Sequence, residues 1–196
     1  MIDMFNKKIY LILGIIFGIA IISGSTYAWL TWSTSSSQQT TVVFTATASY
    51  QCAADGGGNI TSNNVKLIPT TCNNSEHAIK RTIKLMPTLF EEDTTVSLDL
   101  WLDVKSIGQY LSSSENFKYV LTTNANSCTS NIVNSGSFKG KTANSKVQLL
   151  NGKVYNSTTT DTYYLYIWLD DGEINNNTMN QPFNLSLNGN CSNISS

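Results

Sequence analysis

From residue 43 onward the chain alternates apolar and polar side chains in short runs, the period of strands that bury one face. The clearest run is 96–104, where Val96, Leu98, Leu100, Leu102 and Val104 fall on one face and Ser97, Asp99, Trp101 and Asp103 on the other. A helix would scatter those aliphatics around its circumference. Over 163–169 the alternation recurs, but the second face, Tyr164, Tyr166 and Trp168, is aromatic rather than charged. Over 43–50, Phe44, Ala46, Ala48 and Tyr50 share a face opposite Thr45, Thr47 and Ser49. Shorter strands are expected at 65–68, 79–85, 117–123, 147–150 and 183–187, separated by Gly, Asn, Ser and Pro clusters such as Gly56-Gly57-Gly58-Asn59. No ten-residue stretch after Trp32 has helical periodicity, and 106–116 has room only for a short helical turn. About eight to ten strands without intervening helices predict an all-β domain of antiparallel sheets, a β-sandwich or jelly roll. No fixed-period repeat points to a solenoid or propeller.

The N-terminus breaks this pattern. Lys7 and Lys8 precede an apolar run of 14 residues, 9–22, followed by Ser23, Gly24 and Ser25 and then Thr26-Tyr27-Ala28, the order of a secretory signal. A hydrophobic export helix is expected here. Two outcomes stay open: cleavage between Ala28 and Trp29, or retention as a membrane anchor through the uncharged continuation to Trp32. Residues 33–41 carry no apolar side chain and read as a flexible tether. The organisation is thus a signal peptide or signal anchor at 1–28, a tether at 29–41 and a β domain at 42–196, displayed outside the cell, secreted or membrane-anchored.

Composition sharpens the picture. With 196 residues and one targeting segment, a single core is the default. The net charge of −1, from 12 basic and 13 acidic residues, leaves no basic field for nucleic acid. Asn, Ser and Thr number 22, 24 and 23, a composition suited to turns and solvated β-surfaces. Cys52, Cys72, Cys128 and Cys191 all follow the export segment, and an even count in an exported domain implies two disulfides. Three connectivities are open; Cys52 with Cys72 and Cys128 with Cys191 are expected, because Cys128 and Cys191 each follow a strand-like run.

Catalytic chemistry is sparse. The chain has no Gly-x-Ser-x-Gly, His-Glu-x-x-His, Walker A or dinucleotide fingerprint, and its one histidine, His77, reads as a loop residue. Glu91, Glu92 and Asp93 read as a solvated turn. Asp171, Glu173, Asn175 and Asn177 alternate oxygen ligands beside Gly172, the device of a calcium loop, without EF-hand spacing; the simpler reading is a loop that ends the preceding strand. Neither metal nor cofactor is expected. Seven Asn-x-Ser/Thr sequons, at Asn59, Asn73, Asn156, Asn176, Asn184, Asn190 and Asn193, permit glycosylation. Trp101, Tyr164, Tyr166 and Trp168 form a glycan- or protein-binding platform if their faces are open, and core if they are covered.

The export segment ending Gly24-Ser25-Thr26-Tyr27-Ala28-Trp29, with its polar tether and the strand at 43–50, resembles the start of TasA-type biofilm-matrix fibre proteins and their camelysin-like relatives of Gram-positive bacteria. The run Tyr166-Ile167-Trp168-Leu169-Asp170-Asp171-Gly172-Glu173, with Phe183-Asn184-Leu185-Ser186-Leu187, is similar to closing strands of related surface proteins. The resemblance implies a jelly roll, removal of the signal by a dedicated peptidase, and fibres built by strand exchange. Camelysins are described as metalloproteases; the zinc-ligand histidines for that activity are missing here. Four cysteines and the lack of a long charged tail also depart from the fibre proteins. The expected function is an exported, non-enzymatic subunit of a surface or matrix fibre, a homo-oligomer or filament, with Phe44, Ala46, Ala48 and Tyr50 filling a neighbour's core. The alternative is a monomeric membrane-anchored adhesin for glycan or protein.

Overall fold

The run at 96–104 becomes the longest strand, β5 (Val96–Ile107), and its five aliphatics have no solvent exposure. Because side chains on a strand alternate faces, such a row needs a second apolar layer opposite it. The computed structural model, which describes residues 40–62, 67–172, 177–179 and 181–194, supplies that layer from a second sheet. In order the strands are β1 (Thr40–Ala46), β2 (Tyr50–Gly57), β3 (Asn59–Thr61), β4 (Ile79–Leu89), β5, β6 (Phe117–Thr122), β7 (Ile132–Ser137), β8 (Lys146–Tyr155), β9 (Asp161–Leu169) and β10 (Phe183–Asn193). A one-turn helix, α1 (Gln109–Ser113), falls in the segment expected to hold a helical turn and buries Leu111. Every described pairing is antiparallel, in a six-stranded sheet ordered β1-β2-β4-β9-β6-β7 and a four-stranded sheet ordered β3-β10-β5-β8.

One buried cluster draws on both sheets. Leu85, Leu121, Leu165 and Ile167 enter it from the first, and Leu98, Leu102, Leu149, Leu185 and Leu187 from the second. Each fully buried aliphatic contributes about 1.5–3 kcal/mol relative to exposure. Phe117 stacks on Phe138 at a centroid distance of 4.6 Å and leans on Phe183 at 5.3 Å, tying β6 to β10 across the core.

Several local expectations change. The alternation over 43–50 is not one strand: Thr47 N–H donates to the Tyr50 carbonyl at 2.9 Å and Tyr50 N–H to Thr47 Oγ1 at 3.1 Å, closing a tight turn. Strand β1 starts at Thr40, so it takes in the last two residues of the expected tether; the rest of the tether, the export segment and the Ala28–Trp29 junction lie outside the described residues. The glycine run does not interrupt β2, which continues through Gly56 and Gly57. Gly56 has φ 89°, and a Cβ there would sit 2.0 Å from the Thr82 carbonyl oxygen, so β2 tolerates only glycine beside β4 at this point. The strand expected at 65–68 is not seen in its described part: Leu67 is buried but outside any strand, and 65 and 66 are not described.

The disulfide pairing is corrected. Cys52 bonds to Cys191, with Cα atoms 6.2 Å apart, and Cys72 bonds to Cys128, with Cα atoms 6.1 Å apart. The expectation placed Cys191 beyond the end of its strand, but β10 runs on to Asn193, in register with β5, so that Cys191 lies opposite Leu98 and faces inward with Leu185 and Leu187. Cys52 points inward from β2. The bond therefore crosses from one sheet to the other. Cys72 and Cys128 are in loops before β4 and between β6 and β7, and their bond packs on the outer face of the six-stranded sheet against Ala78, Val120, Tyr166 and Trp168.

Trypsin cleavage after Lys66, Lys118, Lys139 and Lys153 leaves each cysteine on its own peptide. An unreduced digest should yield the Cys52 peptide joined to that of Cys191, and the Cys72 peptide joined to that of Cys128; a Cys52–Cys72 species would contradict the fold. In the chain-entropy model, closing loops of 139 and 56 residues stabilises by about 5 and about 4 kcal/mol respectively. Urea unfolding should therefore show the larger loss for the Cys52→Ala/Cys191→Ala double variant.

Candidate functional site

The first described strand is the edge of the six-stranded sheet and, among the described residues, pairs with β2 alone, in a register that breaks twice, between Thr40 and Val42 and between Val43 and Thr45. Its side chains nevertheless reach the other sheet. The Phe44 ring packs over Gly189 of β10, where an added Cβ would meet the ring at 2.8 Å and the Asp99 carbonyl oxygen at 2.7 Å. Thr45 Oγ1 accepts from Cys191 N–H at 3.2 Å and donates to Asn190 Oδ1 at 3.3 Å. Of the four residues expected to fill a neighbour's core, Phe44 is half-buried on β1 and Tyr50 is buried on β2, its hydroxyl donating to the Cys191 carbonyl at 3.4 Å. Ala46 and Ala48 are exposed, because the turn after Ala46 ends the shared face. The four side chains do not form one insertion row.

The aromatic face of β9 is covered. Tyr166 and Trp168 are buried beneath the Cys72–Cys128 bridge, and Tyr164 packs against the same cluster. Tyr166 Oη donates to the Ala125 carbonyl at 3.0 Å, and Lys80 Nζ, lying over the Tyr164 and Tyr166 rings, donates to the same carbonyl. Trp101, on the outer face of β5, lies instead under the Lys146 ammonium, 4.0 Å from the ring centroid.

The two outer faces share a device that the sequence displays as a repeated tripeptide, Trp101-Leu102-Asp103 and Trp168-Leu169-Asp170. Residues two apart on a strand share a face, so each indole N–H reaches the following carboxylate: Trp101 Nε1 donates to Asp103 at 2.9 Å and Trp168 Nε1 to Asp170 at 3.2 Å. Burial works against the Asp103 charge, but hydrogen bonds from Asn188 and Trp101, with the Lys105 ammonium, outweigh it and hold the carboxyl below its ordinary value. Asp170 is held low chiefly by its hydrogen bond from Lys118, against the opposing effect of burial.

Two clefts open on the outer face of the six-stranded sheet. One, of about 470 Å³, lies between Trp168, Lys118, Glu115 and the β7 residues Ser135, Gly136 and Ser137. The other, of about 360 Å³, is bordered by Cys72, Asn73, Lys80, Asn126 and Tyr166. His77 is in the turn-rich loop before β4, 3.9 Å from Glu76, and Glu91, Glu92 and Asp93 occupy the exposed turn before β5. Of the expected calcium-loop residues, Glu173 and Asn175 lie outside the described residues; among those described, no group of three or more His, Cys, Asp or Glu side chains is placed to hold a metal, and no helix is long and apolar enough to cross a membrane. Comparison with family models, curated proteins and solved structures gave no match.

Two variants test this geometry. Gly189→Ala should cost about 1–3 kcal/mol by overpacking, with partial relief when Phe44→Ala is added; an undiminished cost in the double variant would place the strain at the Asp99 carbonyl alone. A carboxyl whose folded pKa is depressed adds stability that is present above its unfolded value, about 3.9, and lost as pH falls through the folded value. Asp103→Asn should therefore lower the urea midpoint at pH 7, and the gap from wild type should close below about pH 4.

Proposed function

We propose that this chain is an exported structural subunit of a surface or matrix fibre, a two-sheet sandwich of jelly-roll type completed by its first strand. The position of β1 carries the reading. It follows the N-terminal segment, pairs with one strand only, and contributes Phe44 to a site on β10 that another copy's β1 can fill in the same way. When β1 departs, the exposed β2 edge and the Gly189 site remain in place, since Cys52–Cys191 holds β2 to β10 beside them. Exchange of an identical element between copies costs little, because each interaction given up within a subunit is remade between subunits. Passed head to tail, the exchange yields an open filament. The two disulfides suit the oxidising compartment that such a fibre occupies.

Exported protein should begin at Trp29 on N-terminal sequencing and form filaments visible by electron microscopy. Removal of residues through Ala46 should leave a monomer with both disulfides intact, and Phe44→Asp should slow or abolish assembly. Intact mature protein that stays monomeric at high concentration, or filaments that persist without β1, would overturn the proposal.

A further inference from the structure

We propose that the cleft beside Trp168 binds a neutral oligosaccharide. It lies on β6, β7 and β9, at the opposite edge of the six-stranded sheet from β1, so this property is separable from fibre assembly. At about 470 Å³ it falls within the range of small-molecule sites, about 300–1,000 Å³. Its walls are of two kinds. Trp168, 8% exposed, contributes the remaining open edge of its ring, and β7 contributes Ser135 and Ser137 on the same outer face, while the Tyr119 ring turns inward onto Phe138 and fills the space beside Gly136.

The polar groups are held in position before any ligand arrives. Asp170 takes both the Trp168 indole N–H and the Lys118 ammonium, fixing two lining side chains with one carboxylate. Glu115 is paired with Lys139 at 2.6 Å. The hydroxyls of Ser135 and Ser137 make no hydrogen bond to another described residue and line the opposite wall.

Those features select among ligand classes. Each lining charge has its own counter-ion, Lys118 with Asp170 and Glu115 with Lys139, so the cleft has no net field to draw an anion or a cation. The open aromatic area is too small to retain an apolar molecule by burial alone. A saccharide meets both conditions: its hydroxyls donate and accept at once, matching serine hydroxyls, a carboxylate and an ammonium, while its C–H face needs only a modest aromatic surface.

The test is calorimetric titration of the oxidised full chain with maltohexaose, cellohexaose, laminarihexaose and N-acetylchitohexaose. At least one should bind saturably and should still bind in about 0.5 M NaCl, where screening lengths are only a few ångströms. Ser137→Trp, which fills the cleft, and Glu115→Ala, at its exposed rim, should each weaken binding at least about tenfold, while Trp101→Ala on the other sheet should leave it unchanged. Near-ultraviolet circular dichroism and the unreduced digest check that each variant is folded; if Ser137→Trp is not, Glu115→Ala decides. No binding across the panel, binding abolished by salt, or binding lost in Trp101→Ala but kept in Glu115→Ala would overturn the assignment.

Discussion

The burial of the aliphatic row of β5 governs the rest of the molecule. Val96, Leu98, Leu100, Leu102 and Val104 have no exposure to solvent, and a strand cannot achieve that without an opposed layer. Tyr163, Leu165, Ile167 and Leu169 of β9 supply part of that layer, flanked in their own sheet by Ile83 and Leu85 of β4 and Leu121 of β6. Cys52–Cys191 reinforces the packing covalently between the two sheets. Phe44 can approach β10 this closely because that strand carries no side chain at Gly189.

Turning one face of β9 to this core leaves Tyr164, Tyr166 and Trp168 on the other, and that second apolar face sets the next requirement. The fold meets it with two loops instead of a third layer. Loops are poor covers because ordering them costs roughly 1–2 kcal/mol per residue of backbone entropy. The Cys72–Cys128 bond reduces that cost by restricting the unfolded chain, and the Lys80 and Tyr166 bonds to Ala125 hold the cover down. The cover leaves a cleft beside Cys72, and the far edge of Trp168 borders another toward β7. The proposed binding and the proposed assembly would thus use different ends of one sheet, the cleft beside Trp168 for the first and the edge strand β1 for the second.

The sequence displayed some of this directly. Strict alternation identified β5 and β9 with the correct inward faces, and the run at 183–187 marked the first part of β10. It failed where apolar signal and strand diverge. Ile132–Ser137 forms β7 with little buried surface, because pairing to β6 rather than side-chain burial stabilises it. β2 runs on through Gly57, and at Gly56 the close approach of the Thr82 backbone demands a glycine, a constraint that looks from the sequence like a break. Thr47 ends β1 through its own side-chain hydrogen bond, although the alternation runs through it unchanged.

From the order of residues alone came the all-β antiparallel class, the presence of paired cysteines, and the two faces of β5 and β9, since each depends on side-chain periodicity or composition within a short span. Which cysteine meets which, which aromatic face is covered, and that Lys118 meets Asp170 and Lys146 meets Trp101 were decided only by tertiary structure. Those are pairings between segments up to 139 residues apart, set by strand order and register, and no local pattern encodes which strands become neighbours.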